Sequence, residues 1–158
     1  MKKRIYVETS VISLYTARMS NDLIKAARLR LTQEWWDEVL PKYECVISPY
    51  VLQEIRNGDK DAAEKRVAAS KAFGVLASSD FAEELAQEYF RKSGIPQKSL
   101  LDCYHLAIAA TSGVDFIVSW NFKHIANPAI RRIFREINDK HDLVSPEIST
   151  PEEMLEGG

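Results

Sequence analysis

The sequence predicts an α/β fold in which a central parallel sheet is covered by helices on both faces. Short apolar stretches alternate with longer amphipathic stretches along nearly the whole chain. Parallel strands need long crossover connections, and these connections are normally helical. Residues 116–118 are apolar at every position, which is typical of a strand covered on both faces. We therefore expect three layers, α/β/α, with the sheet in the middle.

Each predicted strand is a short run of β-branched, aromatic or other apolar residues. The strands are predicted at residues 5–7, 43–47, 73–77, 116–118 and near 143–144. The intervening helices are predicted from apolar residues at helical spacing and from capping and stop signals. The first helix is predicted to be capped by Thr9 or Ser10, and the others lie at 21–40, 49–56, 59–72, 80–92, 99–112 and 128–137.

Local signals support several of these elements. Pro41 ends one helical pattern, and Gly94 ends another. Ser48 is a good N-cap and is followed by proline at the first helical position. Residues 99–112 are apolar nearly all round, so we expect this helix to be the most buried. The chain reads as one domain over residues 1–145, followed by a loosely held tail over 146–158.

Composition limits the possible functions. With 158 residues and 46% hydrophobic residues the chain can bury a core of ordinary size. A net charge of −2 excludes a strongly basic nucleic-acid coat protein but allows a nuclease with a local basic rim. No apolar stretch approaches the roughly 20 residues of a membrane span, so we expect a soluble, cytoplasmic protein with no membrane contact. Cys45 and Cys103 then read as reduced core thiols.

Four polar residues fall where a parallel sheet forms its sites, outside the carboxyl ends of the strands or at the start of the buried helix. They are Glu8, Glu54, Asp102 and Asn121. Hard cations such as Mg²⁺ and Mn²⁺ prefer oxygen ligands, and a few gathered carboxylates can hold such an ion. The motifs for phosphate cradles, dinucleotide binding, zinc proteolysis and serine hydrolysis are absent from the sequence.

Each of the four residues also has a plainer explanation. Glu8 fits an exposed first helical turn, where its charge complements the helix dipole. Glu54 fits a solvated helix surface. Asp102 stands three residues after Ser99, the spacing of a capping box. Asn121 fits a turn after a strand.

Two histidines leave similar alternatives. His105 stands three residues after Asp102 and reads as a satisfied core histidine more readily than as a metal ligand. Lys123 and His124 follow Asn121, where they can meet phosphate or form a solvated loop pair.

The order of these residues resembles the PIN-domain family, and more closely its VapC-like toxin branch. The resemblance covers nearly the whole chain and rests on four segments, of which the last two are the specific part. The segments are IYVETSV (5–11), SPYVLQEI (48–55), DCYHLAIA (102–109) and VDFIVSWNFKH (114–124).

The resemblance implies an α/β/α sandwich with an acidic Mg²⁺ or Mn²⁺ site that hydrolyses RNA phosphodiester bonds. It also implies a homodimer and an antitoxin partner. Glu8, Glu54 and Asp102 match the first three acids of the family's quartet, and Asn121 matches the fourth. The family usually has Asp at the first and fourth positions, so Glu8 and Asn121 are departures. Asn121 removes a charge but keeps a carbonyl oxygen that can act as a ligand.

From these residues we expect Glu8, Glu54 and Asp102 to hold one metal ion and Asn121 to position water or substrate. A site with three acids and one amide is less negative than a site with four acids, so we expect it to bind one metal ion rather than two. Ser10 and Ser119 are expected to hydrogen-bond ligands or water. Phosphate contacts are expected from Lys123, His124, Arg131 and Arg132.

The sequence is also compatible with two other functions. A catalytically weak or inactive PIN scaffold would bind RNA or a protein without cleaving. A structure-selective DNA nuclease or an RNA-processing enzyme would share the chemistry and differ in substrate.

Overall fold

The structure is a computed structural model that describes residues 2–157, and it confirms the α/β class. Within that range five parallel strands form one sheet. They are β1 (Arg4–Val7), β2 (Glu44–Ile47), β3 (Gly74–Val75), β4 (Phe116–Val118) and β5 (Glu147–Ser149). Their spatial order is β3-β2-β1-β4-β5.

Helices connect the strands and flank the sheet. They are α1 (Thr9–Tyr15), α2 (Leu23–Glu38), α3 (Pro49–Ile55), α4 (Lys60–Ser70), α5 (Asp80–Ser93), α6 (Leu100–Thr111), α7 (Pro128–Lys140) and α8 (Pro151–Gly157). Two of the local signals are confirmed directly. Ser48 accepts a hydrogen bond from the backbone N–H of Val51 at the start of α3. Gly94 ends α5 with a φ of 72°, in the left-handed region that glycine adopts without a Cβ penalty.

The strand order reverses at β1, because β2 and β3 lie on one side of it and β4 and β5 on the other. In such sheets the crevice at the reversal is the usual place for a site. Tyr6 and Val7 are paired with Ile117 and Val118 across β1 and β4. The backbone N–H of Glu8 extends this pairing by donating to the carbonyl oxygen of Val118 at 3.1 Å. The ends of β1 and β4 are therefore fixed beside each other.

The core lies around β1 and α6. Ile5, Tyr6 and Val7 are fully buried. In α6, Cys103 and every residue from 105 to 110 are buried, so the prediction that this helix is the most buried is confirmed. Cys45 and Cys103 are both free and buried, as expected. Within residues 2–157 no helix combines the length and the apolar character needed to cross a bilayer.

The C-terminal segment corrects two expectations. The strand predicted near 143–144 is wrong, because these residues follow a turn at Asp142 and the side chain of Val144 is 90% exposed. The strand is β5, which pairs with β4. Residues 147–157 are also not loosely held. They form β5 and α8, and Met154 of α8 is buried with its Sδ 3.4 Å from Nε1 of Trp35. Gly158 of the predicted tail lies outside the described residues.

Two predicted helix caps are also wrong. The N-cap of α1 is Glu8, and the hydroxyls of Thr9 and Ser10 bond to carboxylates instead of capping the helix. Ser99 makes no side-chain cap to α6, because residues Gln97–Ser99 form a 3₁₀ turn that leads into the helix. The capping-box explanation of Asp102 therefore fails.

Candidate active site

Glu8 lies at the junction of β1 and β4 and is held by two hydroxyls. Only 4% of the residue is exposed, so it is not the exposed first-turn acid of the plainer explanation. Its Oε1 accepts hydrogen bonds from Ser10 Oγ and, at 2.6 Å, from Ser119 Oγ. Burial raises the pKa of the Glu8 carboxyl above its usual value, while His105 and the two hydroxyls oppose that shift. Both serines thus contact the residue they were expected to support.

Glu54 points from α3 towards the same edge of the sheet. Its Oε1 accepts 2.6 Å hydrogen bonds from Thr9 Oγ1 and from Nε2 of His105. Its side chain is 30% exposed and bonded twice, which is not the solvated position of the plainer explanation. Burial alone would raise the pKa of Glu54, but the bond and charge of His105 and the bond of Thr9 lower it below the usual value. Glu54 is therefore an ionised, oriented carboxylate.

A buried hydrogen-bond chain holds His105 in place. Its Nδ1 is bonded to the phenol oxygen of Tyr6, which is also 2.7 Å from Ser48 Oγ. Burial raises the pKa of Tyr6 well above its usual value, so the phenol stays protonated. Burial would lower the pKa of His105, but the bond to Glu54 and the surrounding carboxylates raise it. Because an ionised Glu54 can only accept, Nε2 of His105 must carry the proton between them.

Asp102 and Asn121 are linked through His124. Nδ1 of His124 donates to Asp102 Oδ2 at 3.0 Å, and its backbone N–H donates to Asn121 Oδ1 at 3.0 Å. Asn121 thus organises the turn after β4, as its plainer explanation proposed. Asp102 lies in the first turn of α6 with its side chain 14% exposed. His124 orients it much as His105 orients Glu54.

The three carboxylates share one feature that suits a cation. Glu8, Glu54 and Asp102 each have one oxygen occupied by hydrogen bonds, and the second oxygen has no hydrogen-bond partner within residues 2–157. Oxygen donors of this kind fit a hard divalent ion such as Mg²⁺ or Mn²⁺. The oxygen donors of these three residues therefore suit a divalent cation.

The distances group these residues unevenly. Ligand atoms of Glu8, Glu54 and His105 all lie within 4.8 Å of one another, and among the described residues Asp102 is not part of that group. Both ring nitrogens of His105 are already bonded, so the histidine acts as a donor to Glu54 rather than as a ligand. Glu8 and Glu54 are left as the close pair.

The residues expected to contact phosphate differ in whether other side chains already engage them. Lys123 and Arg132 are exposed. Arg131 is committed elsewhere, with Nη2 3.0 Å from Oε1 of Glu153. His124 bonds to Asp102, which places it in the site rather than in a solvated loop pair.

Three contributions were missed or undervalued by the sequence analysis: those of Tyr6, Thr9 and His105. His105 was read as a core histidine, and it is one, fully buried and doubly bonded. Its position three residues after Asp102 places both on neighbouring turns of α6, which was the available signal. No local sequence pattern indicates the roles of Tyr6 and Thr9, because their hydrogen-bond partners lie 99 and 45 residues away in the chain.

The PIN domain family model matches residues 5–129. This chain belongs to the PIN domain family. The match includes all four residues of the predicted acidic set, and the resemblance drawn from the sequence is confirmed. No curated protein sequence matches the chain.

Two solved structures show the same PIN-domain fold. One is VapC20 from Mycobacterium tuberculosis, described as a toxin that cleaves the sarcin–ricin loop. It is 21% identical, with a TM-score of 0.58 over 75% of this chain and 91% of that one. The other is VapBC2 from Rickettsia felis bound to a DNA fragment from its promoter. It is 10% identical, with a TM-score of 0.58 over 93% of this chain and 98% of that one. At these identities the likeness establishes the fold.

Proposed function

We propose that this PIN domain is a metal-dependent endoribonuclease that hydrolyses RNA phosphodiester bonds and serves as the toxin of a toxin–antitoxin pair. The observation that carries the proposal is the state of its three carboxylates. Glu8, Glu54 and Asp102 are each held through one oxygen, and the other has no partner within residues 2–157. Side chains oriented in this way are prepared to bind a cation without rearranging.

In this proposal Glu8, Glu54 and Asp102 hold Mg²⁺ or Mn²⁺. A divalent cation at such a site polarises water and stabilises the charge that develops on a phosphodiester during hydrolysis. Ser10 and Ser119 orient Glu8, and the hydrogen bonds of Thr9 and His105 fix Glu54. The buried protein groups thus set the ligand geometry, and the exposed edge admits RNA.

The role of Asn121 is positional. Its Oδ1 holds the backbone N–H of His124, whose ring in turn holds Asp102. Asn121 therefore controls the placement of Asp102 and lies beside the expected path of substrate and water. Lys123 and Arg132 form no ion pair within residues 2–157 and are the proposed phosphate contacts. Arg131 contributes only if phosphate displaces Glu153.

The toxin assignment brings two partners into the proposal, an antitoxin and a second copy of the chain. VapC20 is described as a toxin, which supports this context. Co-expression of the neighbouring gene should relieve growth arrest caused by the native protein. Growth arrest should be absent with the Asp102→Asn variant. Toxicity that survives this substitution would contradict the assignment.

The proposal is tested by RNA cleavage with Mn²⁺, Mg²⁺ or EDTA. The native protein is compared with Asp102→Asn and with the matched control Asp37→Asn, whose side chain is exposed on α2. We expect metal-dependent cleavage by the native protein and the control, and none by Asp102→Asn. Single-stranded DNA is included as a second substrate, and preferential cleavage of DNA would replace the ribonuclease with a DNA nuclease.

A non-cleaving PIN scaffold is the second candidate. It is favoured by the engagement of Asn121 in a turn and by the position of Asp102 outside the closest ligand group. A scaffold would bind RNA without cutting it. It would also show no Mn²⁺-dependent rise in melting temperature beyond that of a variant lacking the acids.

A further inference from the structure

A groove begins directly beside the candidate active site. It has a volume of about 580 Å³ and runs between α1, the loop that follows it, the first half of α2 and the turn after β4. Ser10 lines the groove and also donates a hydrogen bond to Glu8. Trp120 lines its other side, next to Ser119. The groove therefore leads away from the carboxylates.

The charges of the groove are opposite to those of the active site. Arg18, Lys25 and Arg28 line it, and no carboxylate is among its lining residues. Within the part of the chain that the structure describes, none of these three cations forms an ion pair. Unpaired cations in one groove favour a polyanionic occupant, which releases counterions when it binds. The positive charge of the groove therefore offsets part of the electrostatic repulsion between the neighbouring carboxylates and a polyanionic ligand.

An aromatic platform adjoins the cations. The guanidinium carbon of Arg28 lies 4.7 Å from the ring centroid of Phe122 and 5.6 Å from that of Trp120. Phe122 is 42% exposed, so part of its ring is accessible to a ligand. Aromatic rings and guanidinium planes of this kind stack on unpaired bases.

The platform is held in place before any ligand binds. Trp120 is buried, and its Nε1 donates to Oγ1 of Thr32 on α2 at 2.8 Å. Its backbone N–H donates to Ser10 Oγ at 2.8 Å. The turn that carries Phe122 is thus tied both to α2 and to the serine that holds Glu8. Binding in the groove requires little ordering of these side chains.

We propose that this groove binds a single-stranded RNA segment that adjoins the scissile phosphate. One base stacks on Phe122 beside Arg28, and the backbone phosphates contact Lys25 and Arg18. A base paired within a duplex is already stacked and cannot use the platform, so the groove selects unpaired RNA. The inference rests on the proposed ribonuclease function and adds to it the surface that binds the RNA next to the cleavage site and the side from which the RNA enters.

The test measures RNA binding in EDTA, so that cleavage does not contribute. The probe is a fluorescein-labelled single-stranded RNA of mixed sequence, about 12 nucleotides long. Phe122→Leu removes the ring and should weaken binding about tenfold, with the salt dependence unchanged. Arg28→Gln should weaken binding severalfold and reduce the salt slope by about 0.7. Neither substitution should weaken binding of a blunt RNA duplex to the same extent.

Two matched controls separate the groove from general surface effects. Phe81→Leu changes a phenylalanine that is 41% exposed on α5, and Arg30→Gln removes a charge from the same helix as Arg28 but outside the groove. Both controls should bind single-stranded RNA like the native protein. Equal binding by Phe122→Leu and Arg28→Gln would overturn the inference and leave the groove to a protein partner.

The experiments distinguish a failure of the groove assignment from a failure of the proposed nuclease function. If the native protein binds RNA through Phe122 and Arg28 but cleaves nothing with metal, the groove assignment holds and the nuclease fails. If the protein cleaves RNA and the two variants cleave and bind as well as their controls, the nuclease holds and the groove assignment fails. Melting temperatures of all four variants confirm that each is folded.

Discussion

Glu54 and His105 are joined by a 2.6 Å hydrogen bond between Oε1 and Nε2, and the imidazole that donates it is completely buried. The other ring nitrogen is bonded to Tyr6, so the imidazole cannot rotate without losing both bonds. The same Glu54 oxygen also accepts from Thr9. One oxygen of the carboxylate is thus fixed from two directions, which leaves the second in a defined position at the sheet edge.

The Thr9 bond can be removed with little change in shape by Thr9→Val. Glu54 then keeps His105 but loses one of its two donors, and its orientation is less restricted. We expect the Mn²⁺ concentration for half-maximal RNA cleavage to rise about tenfold, a typical cost of losing a partner behind a metal ligand. The control is Thr16→Val, whose hydroxyl bonds only to carbonyls of its own helix. An unchanged Mn²⁺ requirement would show that Thr9 has no part in the site.

Ser119 provides a second test, at the buried end of the site. Its Oγ donates to Glu8 and accepts from the backbone N–H of Asn121 at 2.9 Å. Ser119→Ala leaves a buried carboxylate short of a donor, which costs about 1–3 kcal/mol in free energy of unfolding. Urea denaturation in EDTA measures this cost. Ser13→Ala on α1 is the control and should change the free energy by less than about 0.5 kcal/mol. A Ser119→Ala protein as stable as the control would contradict the role of this bond.

The elements that could be predicted carry their signals locally. Ser48 with Pro49 marked the start of α3, and Gly94 marked the end of α5. The strand β5 has three residues and no such signal, whereas the apolar pair Leu143 and Val144 imitated a strand. That pair follows a tight turn after α7, and Val144 is 90% exposed while Leu143 is half-buried against the core, which no local pattern revealed.

The candidate site likewise contains residues that the sequence could indicate and residues that it could not. Glu8, Glu54 and Asp102 could be selected because the ends of parallel strands and the start of a buried helix are recognisable in sequence. Their partners could not be assigned. The bond between His105 and Glu54 joins residues 51 apart, and the bond between His124 and Asp102 joins residues 22 apart. Only tertiary packing brings such pairs together.

The two thiols should be inert in the folded protein. Burial raises the pKa of Cys45 and the pKa of Cys103 to about 12, and only a thiolate reacts rapidly with disulfide reagents. At pH 8 we expect no fast reaction of the native protein with a chromogenic disulfide such as DTNB. Two thiols should react at once in denaturant. Rapid labelling of even one thiol in the native protein would contradict the burial of both.

The C-terminal helix provides a pH-dependent prediction. Glu153 Oε1 accepts from the backbone N–H of Thr150 at 2.9 Å, and Thr150 Oγ1 accepts from the backbone N–H of Glu153 at 3.1 Å. This is a capping box for α8, and Arg131 adds an ion pair at 3.0 Å. Burial would raise the pKa of Glu153, but the bonds of Arg131 and Thr150 lower it below the usual 4.5.

A lowered folded-state pKa means that the stabilisation is complete above about pH 4.5 and is lost as the pH falls through the folded-state value. Because the side chain is 47% exposed, solvent limits the effect to about 1 kcal/mol or less. Glu153→Gln should therefore unfold more easily than the native protein at pH 7, and the gap should be smaller at pH 3, where more of the native carboxylate is protonated. Glu152→Gln, exposed in the same helical turn, is the control and should follow the native protein at both pH values. A gap of equal size at both pH values would mean that the carboxylate charge contributes nothing, and that the amide change alone weakens the cap that holds α8 against α2.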